Sequence, residues 1–174
     1  MKISVEKIHP DFESPEYKSS HAACFDLRFQ TKNESVKCIT DGNVETMSMI
    51  LPNRAGGKHL IIMPGDRVLV PTGLKFRIQT KTPGAYSIRL YARSGMAFNN
   101  GLTLINGCGI VDSDYQKEVF VPLVNTTRGI ATIALGDRIA QGELIKNVSV
   151  EFIQVDRVDN LSERDGGFGS TGVK

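Results

Sequence analysis

Short runs in which apolar and polar residues alternate recur along the 174-residue chain, many of them closed by a glycine- or proline-bearing turn. KISVEKI (2–8), DRVLVPTGLKFRI (66–78), AYSIRLYA (85–92), LTLI (102–105) and EVFVPLVN (118–125) predict strands. Three more follow at GIATI (129–133), DRIAQGELI (137–145) and SVEFIQV (149–155). A period of two sends successive side chains to opposite faces of a sheet. Pro64-Gly65, Thr72-Gly73, Pro83-Gly84, Asn100-Gly101 and Leu135-Gly136-Asp137 supply turn chemistry at short, regular intervals. The spacing predicts an all-β fold, a sandwich or jelly roll. Helical character is confined to SGMAF (94–98), a turn or two at most.

Two regions break the pattern. Residues 31–59 are polar and poor in alternation, and read as an insertion or long loop. The last stretch, LSERDGGFGSTGVK (161–174), has four glycines and no core-forming periodicity, which predicts a mobile tail unless a ligand orders it. The expected organisation is one β-rich domain over 1–160, with the insertion at about 31–59, and a glycine-rich lid over 161–174.

Composition changes this picture little. Hydrophobic residues make up 40% and charged residues 23%, ordinary for a soluble globular protein. No window approaches the roughly 18 apolar residues of a membrane span, and MKISVEKIHPDFE lacks the apolar core of a signal peptide. An intracellular, cytoplasmic location is expected, in the host cytoplasm if the chain is phage-encoded. Cys24, Cys38 and Cys108 form no CxxC pair, and His9, His21 and His59 lack metal-helix spacing. Any metal would be a hard ion held through oxygen and carried in with a ligand. The formal net charge of +2 is too small to argue for direct nucleic-acid binding; a polyanionic small molecule suits it equally well.

Candidate chemistry lies in five segments. NGCGIVDSDY (106–115) puts Asp112 straight after a glycine-loosened apolar strand, with Tyr115 three residues on. Continued alternation would send Asp112 and Asp114 to one face, and Gly107 and Gly109 leave room for a flat ligand against the backbone. Asp-Ser-Asp is also common turn chemistry. In GGFGSTG, backbone N–H groups can wrap an anion, Ser170 and Thr171 add hydroxyls, and Phe168 is free to stack on a base. Arg164 supplies a fork that matches phosphate. ARSGMA (92–97) combines a guanidinium, a hydroxyl and free N–H groups at the start of a helical turn: a phosphate clamp, or simply a capped turn with a solvated arginine. Asp26 in CFDLRF and Arg138 and Gln141 in GDRIAQ read in isolation as surface polars.

Order decides among these readings. HAACFDL, ARSGMA, NGCGIVDSDYQKE, GDRIAQ and RDGGFGSTG together resemble the five ordered motifs of the trimeric dUTPase family, spanning residues 22–172. The resemblance implies a jelly-roll-like (β-clip) fold and Mg²⁺-assisted hydrolysis of dUTP to dUMP and pyrophosphate. That activity limits uracil incorporation into DNA and supplies dUMP for dTMP synthesis. Asp112 matches the general base, and Tyr115 the residue packed under the deoxyribose. Asn106, Gly109, Ile110 and Val111 match the hairpin that reads uracil, and Arg93, Ser94 and Gly95 the phosphate turn. Gln141 matches the fourth-motif residue near the triphosphate, and Asp26 a carboxylate that holds Mg²⁺ through water while the phosphates chelate it. Arg164, Phe168, Gly169 and Ser170 match a tail that closes over the nucleotide. A homotrimer with shared active sites is implied as well.

The match departs from the family pattern in places. Cys24 stands where the family usually has glycine, Ala92 where it has proline, and Gln116-Lys117 in place of Arg-Gly. Asp26 and Ser94 lie 68 positions apart (94 − 26), with the excess in 31–59, a candidate surface for a protein partner. Two alternatives share the fold: a dCTP deaminase-like enzyme, or a dUTPase with an added regulatory role through the insertion. The first would need a glutamate where Asp112 stands.

Overall fold

The computed structural model describes residues 1–40, 45–52 and 56–159. Its elements, in chain order, are β1 (Lys2–Lys7), β2 (Glu16–Tyr17), β3 (Phe25–Arg28), β4 (Ser35–Ile39), β5 (Glu45–Pro52), β6 (Lys58–Ile62), β7 (Arg67–Pro71) and β8 (Leu74–Gln79). They continue with β9 (Tyr86–Tyr91), α1 (Ser94–Asn100), β10 (Leu102–Leu104), β11 (Gly109–Val111), β12 (Phe120–Asn125), β13 (Ala131–Ala134) and β14 (Arg138–Lys146). A seven-stranded sheet runs β10-β12-β7-β4-β5-β6-β13, a five-stranded sheet runs β11-β9-β14-β3-β2, and β1 pairs with β8 alone. Every pairing is antiparallel. The expected all-β, jelly-roll-like fold is what the chain forms. Phe25, Leu27 and Phe29, Val68 and Val70, Ile88 and Leu90, and Leu123 belong to one continuous core between the sheets.

Glycine turns punctuate the strands where the dipeptides predict. Gly65, Gly73, Gly84, Gly101 and Gly136 all have φ between 63° and 93°, a region that L side chains rarely adopt. The run 66–78 is accordingly broken at Thr72-Gly73 into β7 and β8, and the helical stretch becomes α1.

Three expectations are corrected. Residues 31–59 are not a loop: they hold β4, β5 and the start of β6 within the seven-stranded sheet. The reason is an inverted alternation in β5. Thr46 and Ser48 take the less exposed face and Met47, Met49 and Leu51 the exposed one, and the Ser48 hydroxyl donates to the Ile61 carbonyl at 2.6 Å. The run 149–155 forms no strand. β14 ends at Lys146, and Asn147 ties the chain back, donating Nδ2 to the Gly84 carbonyl at 2.9 Å and accepting the Ser87 hydroxyl at 3.0 Å. Lastly, Asp112 and Asp114 do not continue a strand. β11 ends at Val111, and the Tyr115 N–H donates to the Asp112 carbonyl at 3.2 Å, closing a turn over 112–115.

Candidate active site

The five-stranded sheet carries the candidate residues in two groups. On its β11 edge, Gly109, Ile110 and Val111 pair with Leu90, Arg89 and Ile88 of β9. A Cβ at Gly109 would stand 3.0 Å from the Leu90 side chain, so any larger residue there would have to push Leu90 aside by a few tenths of an ångström. Gly107, at φ 68°, turns the hairpin. The cleft beside it, about 270 Å³, is lined by Asn106, Gly109, Ile110, Val111 and Tyr115, with Leu69, Phe120 and Pro122 among the residues opposite. The Tyr115 ring, 39% exposed, forms part of its wall, and its hydroxyl donates to the Glu118 carbonyl at 2.9 Å. Asp112 is exposed at the end of the hairpin. This half-site offers backbone polar groups, an apolar wall and a free carboxylate.

The second group assembles across β3, β14 and the end of β9. Gln141 lies opposite Asp26 on one side and Tyr91 on the other, and its Nε2 donates to the Ala92 carbonyl at 3.1 Å, bracing the chain just before Arg93. Arg93 is extended at φ −82°, ψ 131° and precedes α1. The Ser94, Gly95 and Met96 N–H groups open the helix, where the geometry gives them no intrahelical acceptor. Asp26 is only 12% exposed, and each carboxylate oxygen meets a guanidinium: Oδ1 to Arg93 Nε at 3.1 Å, Oδ2 to Arg138 Nη1 at 3.0 Å. Arg93, Gly95, Asn100, Asp137 and Arg138 line a polar cleft of about 280 Å³.

Asp26, Arg93, Ser94, Gly95 and Gln141 are therefore brought together, as are Asn106, Gly109, Ile110, Val111, Asp112 and Tyr115. The two groups lie along one sheet, with Gly109 opposite Leu90, which in turn pairs with Gly142 next to Gln141, whereas Asp112 lies at the far end of the hairpin. Val111 lies opposite Ile88, whereas Arg93 lies five residues further along β9 and its continuation. At a rise of about 3.4 Å per residue and a strand spacing of about 4.8 Å, Asp112 and Arg93 are on the order of 20 Å apart. Arg164, Phe168, Gly169 and Ser170 lie outside the described residues. Sequence reasoning missed Arg138, which it read as a surface polar. The available signal was a lone acid, Asp26, in an apolar strand, since a carboxylate there needs a cationic partner.

No group of three or more His, Cys, Asp or Glu side chains among the described residues could hold a metal directly. With both its oxygens engaged by arginines, Asp26 is not placed to ligate an ion directly, and any contact with one carried on phosphates would run through water. No helix among the described residues is long and apolar enough to cross a membrane.

The family model of dUTPase matches residues 55–172. A deoxyuridine 5′-triphosphate nucleotidohydrolase of Finegoldia magna is 42% identical over 113 residues, 65% of this chain and 76% of that protein. The same enzyme from a Hydrogenobaculum species is 32% identical over 174 residues and covers all of both chains, including the segment 31–59. Among solved structures, the dUTPase of Staphylococcus bacteriophage 80alpha aligns at TM-score 0.72 and 19% identity over 99% of each chain. That of Streptococcus mutans aligns at 0.60 and 22%, over 85% of this chain and 98% of the other. On sequence relatives, a family match over most of its length and a shared all-β fold, the chain belongs to the dUTPase family.

Proposed function

We propose that the chain hydrolyses dUTP to dUMP and pyrophosphate at sites completed between copies of itself. What supports this reading is the place of Asp112, which the strand register puts on the order of 20 Å along the sheet from Arg93 of the same chain, farther than a triphosphate reaches. Asp112 of one copy then serves a nucleotide whose phosphates rest on Arg93, Ser94, Gly95 and Gln141 of another, and a homotrimer with shared sites satisfies this. In the reaction, the Asp112 carboxylate accepts a proton from a water molecule. The water oxygen attacks the α-phosphorus in line with the bridging oxygen, the α–β P–O bond breaks, and pyrophosphate leaves with the electron pair. The hairpin from Asn106 to Val111 reads the uracil edge with backbone groups, and Tyr115 occupies the space a 2′-hydroxyl would need. Mg²⁺, carried on the phosphates and touched through water by Asp26, would offset phosphate charge. Arg164, Phe168, Gly169 and Ser170 would close over the bound nucleotide.

The test is phosphorus NMR of dUTP, dCTP, dTTP and UTP with protein and Mg²⁺. Pyrophosphate from dUTP alone is expected, and Asp112→Asn should lower turnover by about 10²- to 10⁴-fold with little change in KM. Ammonia released from dCTP, or full turnover by Asp112→Asn, would overturn the reading.

A protein-binding role for 31–59 is favoured by one feature. Met47, Met49 and Leu51 stand exposed along the outward face of β5, with Met63 and Ile130 also exposed just beyond β6 and before β13. Partner binding through this face should survive Asp112→Asn and be lost on Met49→Lys. The reverse pattern would move the partner to the active site.

A further inference from the structure

We propose that Arg138 is a positioning residue of the phosphate-side half-site, holding Asp26 so that the Arg93 guanidinium is fixed before nucleotide arrives. The proposal rests on the reading of Arg93 as a phosphate-binding residue.

A bulge in the sheet places Arg138 there. Along β14, Ala140, Gln141 and Gly142 pair with Leu27, Asp26 and Phe25, a register that, continued without interruption, would set position 138 opposite Phe29. Phe29 is fully buried, so an arginine in that register would face the core. The pairing instead shifts between Arg138 and Ala140, which puts Arg138 opposite Arg28. Directly opposed residues of an antiparallel pair share a face, so the shift turns Arg138 onto the face that carries Asp26. Ile139 and Ala140 are both buried, as expected where two successive residues share one slot in the ladder. A bulge re-aims a side chain, and here the side chain lands on a carboxylate.

The contacts then close a ring. Arg138 Nη1 reaches Asp26 Oδ2 at 3.0 Å, and Asp26 Oδ1 meets Arg93 Nε at 3.1 Å. Arg93 Nη1 donates to the main-chain carbonyl of Arg138 at 3.1 Å. Arg93 thus commits two of its three nitrogens inward to Asp26 and the Arg138 backbone, which leaves the Nη2 edge to receive a phosphate oxygen. A structural ion pair would need one arginine for one carboxylate. Here two arginines share one carboxylate, and both line the cleft that Gly95 also borders. Asp137, which lines it too, is held in its own turn, where Oδ2 accepts the Ala134 N–H at 2.8 Å. The arrangement suits a polyanion whose arrival needs no reorganisation of Arg93.

A double-mutant cycle on the full chain tests this, with KM and kcat for dUTP read by pyrophosphate release and folding checked by thermal melting. Arg138→Ala should raise KM on the order of tenfold, with a smaller effect on kcat, and Arg138→Lys should recover most of the loss. In an Asp26→Ala background, Arg138→Ala should add less than about twofold, because the residue acts through the carboxylate. Losses that multiply in both backgrounds would make Arg138 a direct phosphate ligand and overturn the proposal, as would an unchanged KM in the single variant. If an alanine variant fails to fold, Arg138→Gln with Asp26→Asn closes the same cycle under the same criteria. Arg93→Ala separates the two levels. An unchanged KM there would sink the phosphate reading itself, whereas a raised KM with Arg138→Ala silent would sink only the positioning role.

Discussion

Glu118 sits partly buried behind Tyr115, with Oε1 accepting the Gly73 N–H at 2.8 Å and its main-chain carbonyl accepting the Tyr115 hydroxyl. Burial pushes its carboxyl above the ordinary glutamate value, against the pull of the Gly73 N–H and the Lys75 charge. A folded-state value above the unfolded one means that the stabilisation is fully present below the unfolded value, near 4.3. It is lost as pH rises through the folded value, so ionised Glu118 costs stability at neutral pH. Glu118→Gln keeps an acceptor for Gly73 and removes that cost. Its melting advantage over the native chain should therefore grow between pH 4 and pH 7; an advantage that shrinks over this range would contradict the assignment. At this scale the sequence was most informative about groups whose role depends on their own chemistry and immediate neighbours. Gly107 and Gly109 marked a place where a flat ligand could approach the backbone, and Asp112 a candidate base beside it. Asp26 signalled that a cationic partner was needed, but not that it was Arg138, which lies 112 residues away and whose direction depends on a bulge that no local pattern records.

The β4–β5 hairpin carries the same lesson at the level of elements. Period-two patterning identifies a strand only when the apolar face is the buried one, and β5 reverses this by exposing Met47, Met49 and Leu51 while Thr46 and Ser48 take the less exposed face. Its one well-buried side chain is Ile50, 6% exposed, opposite Leu60 of β6. Neighbouring substitutions should therefore diverge. Ile50→Ala opens a cavity in the seven-stranded sheet and should cost about 2–5 kcal/mol. Met49→Ala, at a side chain 49% exposed, should stay within about 0.5 kcal/mol. Melting curves of the two variants decide it: equal, small shifts would return 31–59 to the status of a loop laid over the sheet. Strands with ordinary alternation and glycine turns, such as β9, β12 and β14, were legible because local pattern and burial agree.

Beyond Asn147 the chain carries Val148, Val150, Phe152, Ile153, Val155 and Val158 on its surface, with Phe152 92% exposed. A run of this composition left in water forgoes roughly 1.5–3 kcal/mol for each large side chain that could be buried. Alternation made 149–155 read as a strand, yet a strand exists only where an edge pairs with it, and β14 has already spent its neighbours on β3 and β9. The proposed site raises the same question from another direction, because Asp112 stands on the order of 20 Å along the sheet from Arg93 of its own chain. Both incomplete features are resolved if the arm covers a second copy and association brings half-sites together. Two truncations separate assembly from lid closure. A chain ending after Asn147 should remain folded, since the core among the described residues lies before that point, but should sediment as a smaller species than the full chain and lose turnover. A chain ending after Leu161 keeps the arm, so it should sediment with the full-length stoichiometry while losing most activity along with Arg164 and Phe168. Were the shorter chain to keep both its assembly and its turnover, neither the arm nor sharing through it would be needed. Were it to keep assembly alone, the half-sites would be joined through the β-sheet faces, with the arm serving only to carry the lid.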